Sequence, residues 1–454
     1  MTDHTAPTLR AGIISDVHIG FTGHINPRYY GLGQGPVGDQ DLWWEYVLRW
    51  FAHRGVDVIV CPGDMTNACD YSIPSWSAPY SRREMERFCA IFRKVFGGTD
   101  TQLVVIYGNH DDFVQREETA NGGNRTHWQD VFGEPYSPIV RRTVNGYAFV
   151  GAHWGHEGEA GPAVAEAVAA SGDLPVFYIQ HDALPGTTCA SDPKRRPDLS
   201  DAGLRCVRDY DTVVAFSGHT HRSITDERAI WQADRPDEPR CTSITCSTLN
   251  YGEQNGGLIN GENLMTKQAL YMTAHGRELR FERLSFWTPE MRALAKAEKT
   301  EPDFAACTAS CGADWVFTAG GERRYGFARR AALCAAPEFP PEADIAVFRG
   351  DTAVQLYFPA ALPLNRDDDL IFSYVAEAVD ASSAVVRQAS VFTEHHIDHD
   401  PARFAPAYQA VIYGLTPDTE YTFRVFARDC YGLRSARPLT IRARTLAEPR
   451  AELG

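Results

Sequence analysis

The sequence predicts an α/β layered domain followed by an all-β sandwich. Three observations carry this reading. Over the first 290 or so residues, short apolar runs alternate with amphipathic, helix-like stretches. After Asp344 the pattern shifts to strand-length runs separated by turns. Within Tyr421–Ala427 the apolar side chains recur with a period of two, as in a half-buried strand.

The apolar runs of the first region are Ala11–Ile14, Val56–Val60, Leu103–Tyr107, Val176–Ile179 and Val213–Phe216, with another at Tyr147–Gly151. Most are rich in Val and Ile and several are bounded by Gly or Pro, which predicts buried strands. Asp41–Arg54 places Trp43, Trp44, Val47, Leu48 and Phe51 near helical spacing, and Arg82–Phe96 does the same with Met85, Phe88, Cys89, Phe92 and Val95. Residues 298–343 show no clean period and end in Pro337, Pro340 and Pro341, which reads as a connecting segment. The strand-like runs that follow are Ile345–Phe348, Val354–Phe358, Ile371–Ala376, Ala407–Tyr413, Tyr421–Ala427 and Leu439–Ala443. Leu415-Thr416-Pro417-Asp418-Thr419-Glu420-Tyr421, followed by Val425, Ala427 and Gly432, resembles the fibronectin type III signature over about the last hundred residues. The expected units are therefore 1–297, a connecting segment 298–343, and a β-sandwich over 344–446.

Composition narrows the function. Of 454 residues, 44% are hydrophobic and 23% charged, ordinary globular usage. The net charge of −15 disfavours nucleic acid as a partner, because no Lys/Arg run reverses it; Pro193-Lys194-Arg195-Arg196 is short and flanked by Asp192 and Asp198. No apolar stretch of about 18 residues exists, so no membrane-spanning helix is expected. Met1–Thr5 lacks the basic and apolar regions of a secretory signal. With 11 cysteines and no C-x-x-C pair, the expectation is reduced, mostly buried thiols in a cytoplasmic protein.

Five of the apolar runs end in metal-type ligands. They give Ser15-Asp16-Val17-His18, then Gly63-Asp64, then Gly108-Asn109-His110-Asp111, then Gln180-His181-Asp182, then Gly218-His219-Thr220-His221. An open α/β sheet places its site at the carboxyl ends of its strands. Glycines 63, 108 and 218 let the chain turn sharply there and approach an ion closely. Each element alone is an ordinary turn or cap; five in this order are not explained by turns.

This set resembles the calcineurin-like metallophosphoesterases, over about residues 9–285. The resemblance implies a four-layer α/β sandwich, two mixed β-sheets flanked by helices. It implies one metal held by Asp16, His18, Asp64 and His221, and a second held by Asp64, Asn109, His181 and His219, with Asp64 bridging. Carboxylate, amide and imidazole donors without thiolate suit two Mn, Fe or Zn ions. Metals about 4 Å apart can bind a bridging hydroxide as nucleophile and clamp the phosphoryl oxygens. His110 is implied to donate a proton or a hydrogen bond to the leaving-group oxygen, with Asp111 or another carboxylate orienting it and holding it protonated.

The branch is read from the loops. Purple acid phosphatases, which also pair this domain with a fibronectin-like one, place a Tyr three residues after the G-D aspartate; here Met65, Thr66 and Asn67 follow Asp64. The Arg-bearing run of Ser/Thr protein phosphatases is also missing there. The chain looks closer to small-molecule phosphodiesterases, with a phosphomonoesterase or a non-catalytic scaffold as alternatives. Substrate contacts are expected in the Gly20–Gly38 loop and after Tyr147–Gly151, with Arg28 and His153 the first to consider. Asp70–Tyr80 and the His/Asp-rich Glu394–Asp400 are further loop candidates.

Overall fold

The computed structural model describes residues 8–19, 40–67, 74–111, 126–191, 197–254, 257–258, 266–363, 370–394 and 405–448. Two compact units emerge, Met1–Phe327 and Ala328–Gly454. In chain order the first begins with β1 (Leu9–Ile13), α1 (Gln40–His53), β2 (Val58–Cys61), α2 (Pro74–Phe96), β3 (Gln102–Val105) and α3 (Thr126–Phe132). It continues with β4 (Ile139–Val144), β5 (Tyr147–Ala152), α4 (Gly161–Ser171), β6 (Val176–Ile179), α5 (Pro197–Val207) and β7 (Val213–Ser217). β8 (Ile230–Trp231), β9 (Thr242–Thr245), β10 (Glu253–Gln254), β11 (Gly257–Leu258), β12 (Gln268–His275) and β13 (Glu278–Ser285) follow. α6 (Pro289–Ala295), β14 (Ala309–Ser310) and β15 (Trp315–Thr318) complete it.

One mixed sheet has the order β14-β13-β12-β1-β2-β3, with β15 also paired to β13. Its β1, β2 and β3 are parallel and β12 runs antiparallel to β1. The second has the order β4-β5-β6-β7-β9-β8, with β5, β6, β7 and β9 parallel and antiparallel strands at both edges. Side chains of both sheets, among them Ile13, Val60, Val104, Phe149, Phe177 and Phe216, share one core, so the sheets pack face to face. The other face of the second sheet is covered by α4 and α5 through Val164 and Val207 against Val150, Tyr178 and Ala215. On the first sheet's side, Trp44 of α1 stacks on Phe88 of α2 at 4.6 Å and donates from Nε1 to its carbonyl at 3.1 Å. The layering is thus helix, sheet, sheet, helix.

α2 starts eight residues before the amphipathic stretch does. Pro74 opens it, where a missing N–H and a fixed φ are no handicap. Within residues 298–343, β14 and β15 extend the first sheet along β13, and Trp315 is buried opposite Phe281.

The second unit contains α7 (Phe327–Ala331, which begins at the boundary), β16 (Ala346–Arg349), β17 (Ala353–Pro359), β18 (Ile371–Val379), β19 (Val385–Phe392), β20 (Ala407–Tyr413), β21 (Glu420–Asp429) and β22 (Leu439–Arg444). Sheets β16-β17-β20 and β19-β18-β21-β22 are antiparallel throughout. Their inward positions, including Leu356, Phe358, Tyr374, Ile412, Phe423 and Val425, form one core. Tyr421 at the start of β21 accepts the Thr416 N–H on its hydroxyl at 3.1 Å, a corner contact typical of such sandwiches. This is a fibronectin type III-like sandwich.

Among the described residues no helix is long and apolar enough to cross a membrane, and the described cysteines are all free thiols.

Candidate metal centre

The parallel strands of both sheets deliver the motif residues to one place. Asp16 and His18 follow β1, Asp64 follows β2, and Asn109 opens a single 3-10 turn after β3. His181 follows β6, and His219 and His221 follow β7. The loops are bent hard to do this. Asp16, His18, Asp64, His219 and His221 all sit in the left-handed region, with φ of 53°, 50°, 53°, 67° and 51°. Non-glycine residues adopt it rarely and at a cost, usually where function demands it.

Two groups share Asp64. In the first, ligand atoms of Asp16, His18, Asp64 and His221 lie within 4.8 Å of one another, and all four residues are buried. His221 Nε2 is 3.1 Å from Asp16 Oδ1 and 3.2 Å from His18 Nε2, and His18 Nε2 is 3.7 Å from Asp64 Oδ2. In the second, Asp64 Oδ2 is 3.3 Å from His181 Nε2. Asn109 Oδ1 is 3.0 Å from His181 Nε2 and 2.8 Å from His219 Nδ1. Asp64 Oδ2 therefore faces both groups.

The backbone sets the imidazole tautomers. His181 Nδ1 donates to the Pro62 carbonyl at 2.7 Å and His221 Nδ1 to the Tyr251 carbonyl at 2.8 Å. Each bond fixes a proton on Nδ1 and turns Nε2 towards the carboxylates. His219 is turned the other way, with Nε2 at 3.4 Å from Asp182 Oδ1 and Nδ1 towards Asn109. These donors fit divalent ions: oxygen and nitrogen lone pairs converge in a buried pocket with no thiolate.

The electrostatics favour positive charge at this point. Burial disfavours an imidazolium at His181, but Asp64 and Asp16 outweigh it and push its pKa up to about 10. Burial likewise raises Asp64, yet His181 and His110 hold it well below the usual carboxylate range. At His219, burial and the neighbouring His181 bring the pKa down to about 4. The pocket thus stabilises a cation without holding every imidazole protonated.

His110 is half-buried beside these groups. Its N–H donates to Asp64 Oδ1 at 2.8 Å, and its ring meets His18 edge-on at 4.6 Å. Asp111 differs from the role expected of it. Its Oδ2 accepts the Gly108 N–H at 2.8 Å and the Met65 N–H at 3.3 Å, and its Oδ1 accepts the Thr66 N–H at 3.0 Å. Among the described residues His110 Nδ1 has no hydrogen-bond partner. The carboxylate ties the loop after β3 to the loop after β2; it does not orient the imidazole. Burial, then Asp64, raises its pKa to about 7 despite the amides.

His153 is also placed otherwise than expected. It is fully buried, its Nδ1 accepts the Tyr107 N–H at 2.8 Å, and its ring lies 4.8 to 5.1 Å from those of Tyr107, Trp128 and Tyr136. Enclosed by these three rings, the imidazole packs in the core. The next residue, Trp154, instead stands 5.6 Å from both His181 and His219. Arg28 and the rest of Gly20–Gly38 lie outside the described residues, as do residues 395–400 and the side chains of Trp76 and Tyr80. Asp182 and the Tyr251 carbonyl had no signal of their own, since their roles depend on which ring they meet.

Residues 9–223 match the family model described as calcineurin-like phosphoesterase. No curated protein matches the sequence. Among solved structures, purple acid phosphatase PPD1 from yellow lupin is similar at 11% identity and a TM-score of 0.38, covering 61% of this chain and 51% of that one. A structure described as PhoD is similar at 8% identity and a TM-score of 0.40, covering 69% and 70%. The fibronectin type III domain of human fibronectin type III domain containing protein 3 covers 26% of this chain and 95% of its own at 20% identity, with a TM-score of 0.18. The chain thus spans about half the length of the lupin phosphatase. The five ligand-bearing strand ends all fall inside residues 9–223, the stretch matched as a calcineurin-like phosphoesterase domain.

Proposed function

We propose that the protein hydrolyses small-molecule phosphodiesters at a two-metal site. Asp16, His18, Asp64 and His221 would hold one ion, and Asp64, Asn109, His181 and His219 the other. The observation that carries this is the preset of His181 and His221. Backbone carbonyls at 2.7 and 2.8 Å hold their Nδ1 protons, so the Nε2 atoms of both rings are aimed at Asp64 and Asp16. Bound divalent cations would supply Lewis-acid polarisation of the phosphoryl oxygens and acidify the attacking water.

The chain's own residues do the rest. Asp111 cross-ties the loops after β2 and β3, so Asp64 and Asn109 keep their spacing. The Thr66 hydroxyl donates to the His110 carbonyl at 3.0 Å, which fixes the backbone that presents this imidazole. His110 delivers a proton to the leaving oxygen; an alkoxide leaving without one would be slow. The lean to diesters follows from the loop after Asp64, where Met65, Thr66 and Asn67 offer no tyrosinate.

Initial rates on a chromogenic phosphodiester and the matching monoester, with Mn²⁺-loaded protein and an Asp64→Asn control, test this. A faster diester rate that vanishes in the control is expected. A faster monoester rate would make the protein a phosphomonoesterase. No metal-dependent rate, together with no bound metal, would leave a scaffold.

A further inference from the structure

Lys267 is fully buried, an environment lysine almost never occupies without an acidic partner. Its Nζ donates to Gln40 Oε1 at 2.6 Å and to the Leu249 carbonyl at 2.8 Å, and lies 5.0 Å over the Trp43 ring. Burial holds its pKa well below the ordinary lysine range. Its own backbone is left-handed, at φ 46°. A strained, desolvated amine in a core is a costly arrangement, and hydrophobic packing would avoid it.

Its partner shows what the amine does. Gln40 is also fully buried, and its Nε2 donates to the Val17 carbonyl at 2.6 Å and to the Leu249 carbonyl at 3.0 Å. Lys267 Nζ donates to the oxygen of the Gln40 amide, which turns the NH₂ towards Val17. Val17 lies between Asp16 and His18, both left-handed. The neighbouring carbonyls are taken too: Ser15 O accepts the Leu249 N–H at 3.0 Å, and Asp16 O accepts the Thr248 hydroxyl at 3.1 Å. Gln40 completes this set by holding the Val17 peptide, the one whose rotation would swing Asp16 and His18 apart.

We propose that Lys267 and Gln40 are positioning residues that hold the Asp16–His18 loop in its ligand-bearing conformation. The inference rests on the two-metal reading above. It makes the pair specific for the first metal, because Asn109, His181 and His219 sit on other loops.

The test is Mn²⁺ binding by the full chain, followed by equilibrium dialysis with elemental analysis and by electron paramagnetic resonance. Gln40→Glu gives Lys267 a carboxylate of the same size but removes the N–H that holds Val17. Lys267→Met removes the amine and keeps the bulk. Each is expected to weaken the first site about 10- to 100-fold, the usual effect of losing an outer-shell partner. Near one Mn²⁺ per chain should then remain where the wild type holds two, with loss of the spin-coupled spectrum. A purely structural pair would respond differently: Gln40→Glu would keep both ions at wild-type affinity whatever its melting temperature, and that result overturns the proposal. Failure of both variants to fold would also overturn it, by assigning the pair to stability alone. A wild type that binds no Mn²⁺ would instead overturn the two-metal reading itself.

Discussion

Gly108→Ala is a one-carbon test of how tightly the site is built. A Cβ at this position would overlap Asp64 Oδ1 and lie 2.6 Å from the Asp64 backbone nitrogen and 2.7 Å from His181 Cε1. Ordinary contacts to carbon begin near 3.5 Å, so the groups must part by about 1 Å. One neighbour is backbone, which has no rotamer through which to escape. The φ of Gly108 is not in the left-handed region, so the new methyl acts through space alone. Overpacking of this kind costs about 1–3 kcal/mol of stability. A displacement of about 1 Å at reacting groups costs about 100-fold in rate. The assay is kcat/KM for phosphodiester hydrolysis with saturating Mn²⁺, with bound metal measured on the same sample. Gly98→Ala, with nothing within 4 Å of the added carbon, is the control and should match the wild type. A Gly108→Ala enzyme within threefold of wild type would refute the claim that Asp64 and His181 are held to better than 1 Å.

Three further outcomes are expected. His110→Asn should lower kcat by about 100- to 10,000-fold while leaving metal content unchanged, and the loss should shrink on substrates with better leaving groups. Chelation should lower the melting temperature as well as the rate, because an ion held at 100 times its Kd stabilises the folded state by about 2.7 kcal/mol; equal melting curves with and without Mn²⁺ would contradict the site. Glu157 is buried, and burial raises its pKa from 4.5 to about 7. Between those values the folded state keeps a proton that the unfolded state releases, so stability is full at low pH and falls as pH rises, by about 1.4 kcal/mol per unit. Glu157→Gln should remove that slope, and urea denaturation at pH 5 and pH 8 would measure it.

Much of both units was legible because local pattern and tertiary role coincide. Val176–Ile179 and Ala407–Tyr413 are strands with the bounds their sequence suggests. The strands after which Asp16, Asp64, Asn109, His181 and His219 fall are parallel neighbours, so their ends converge whatever the loops contain. What could not be read depends on partners distant in the chain. Lys267 and Gln40 are 227 positions apart, and a lone lysine beside a strand looks exposed. Asp111 follows a histidine and so suggests a catalytic pair, yet its carboxylate faces amides 3 to 46 residues away. His153 has the setting of a loop histidine, and only the aromatic rings around it make it a core residue. β14 and β15 are too short to show a period, and β19 is mostly half-exposed, so neither announces itself as an apolar run.

The left-handed backbone at Asp16, His18, Asp64, His219 and His221 has a consequence for how the domain can change over generations. Glycine adopts that conformation freely. Replacing one of these residues by glycine therefore relaxes the chain at the moment it removes a donor. Loss of catalysis is then favoured by the fold itself: a copy freed from selection for hydrolysis can shed these residues and become sturdier. The intact set of donors in this chain stands against that drift, residue by residue.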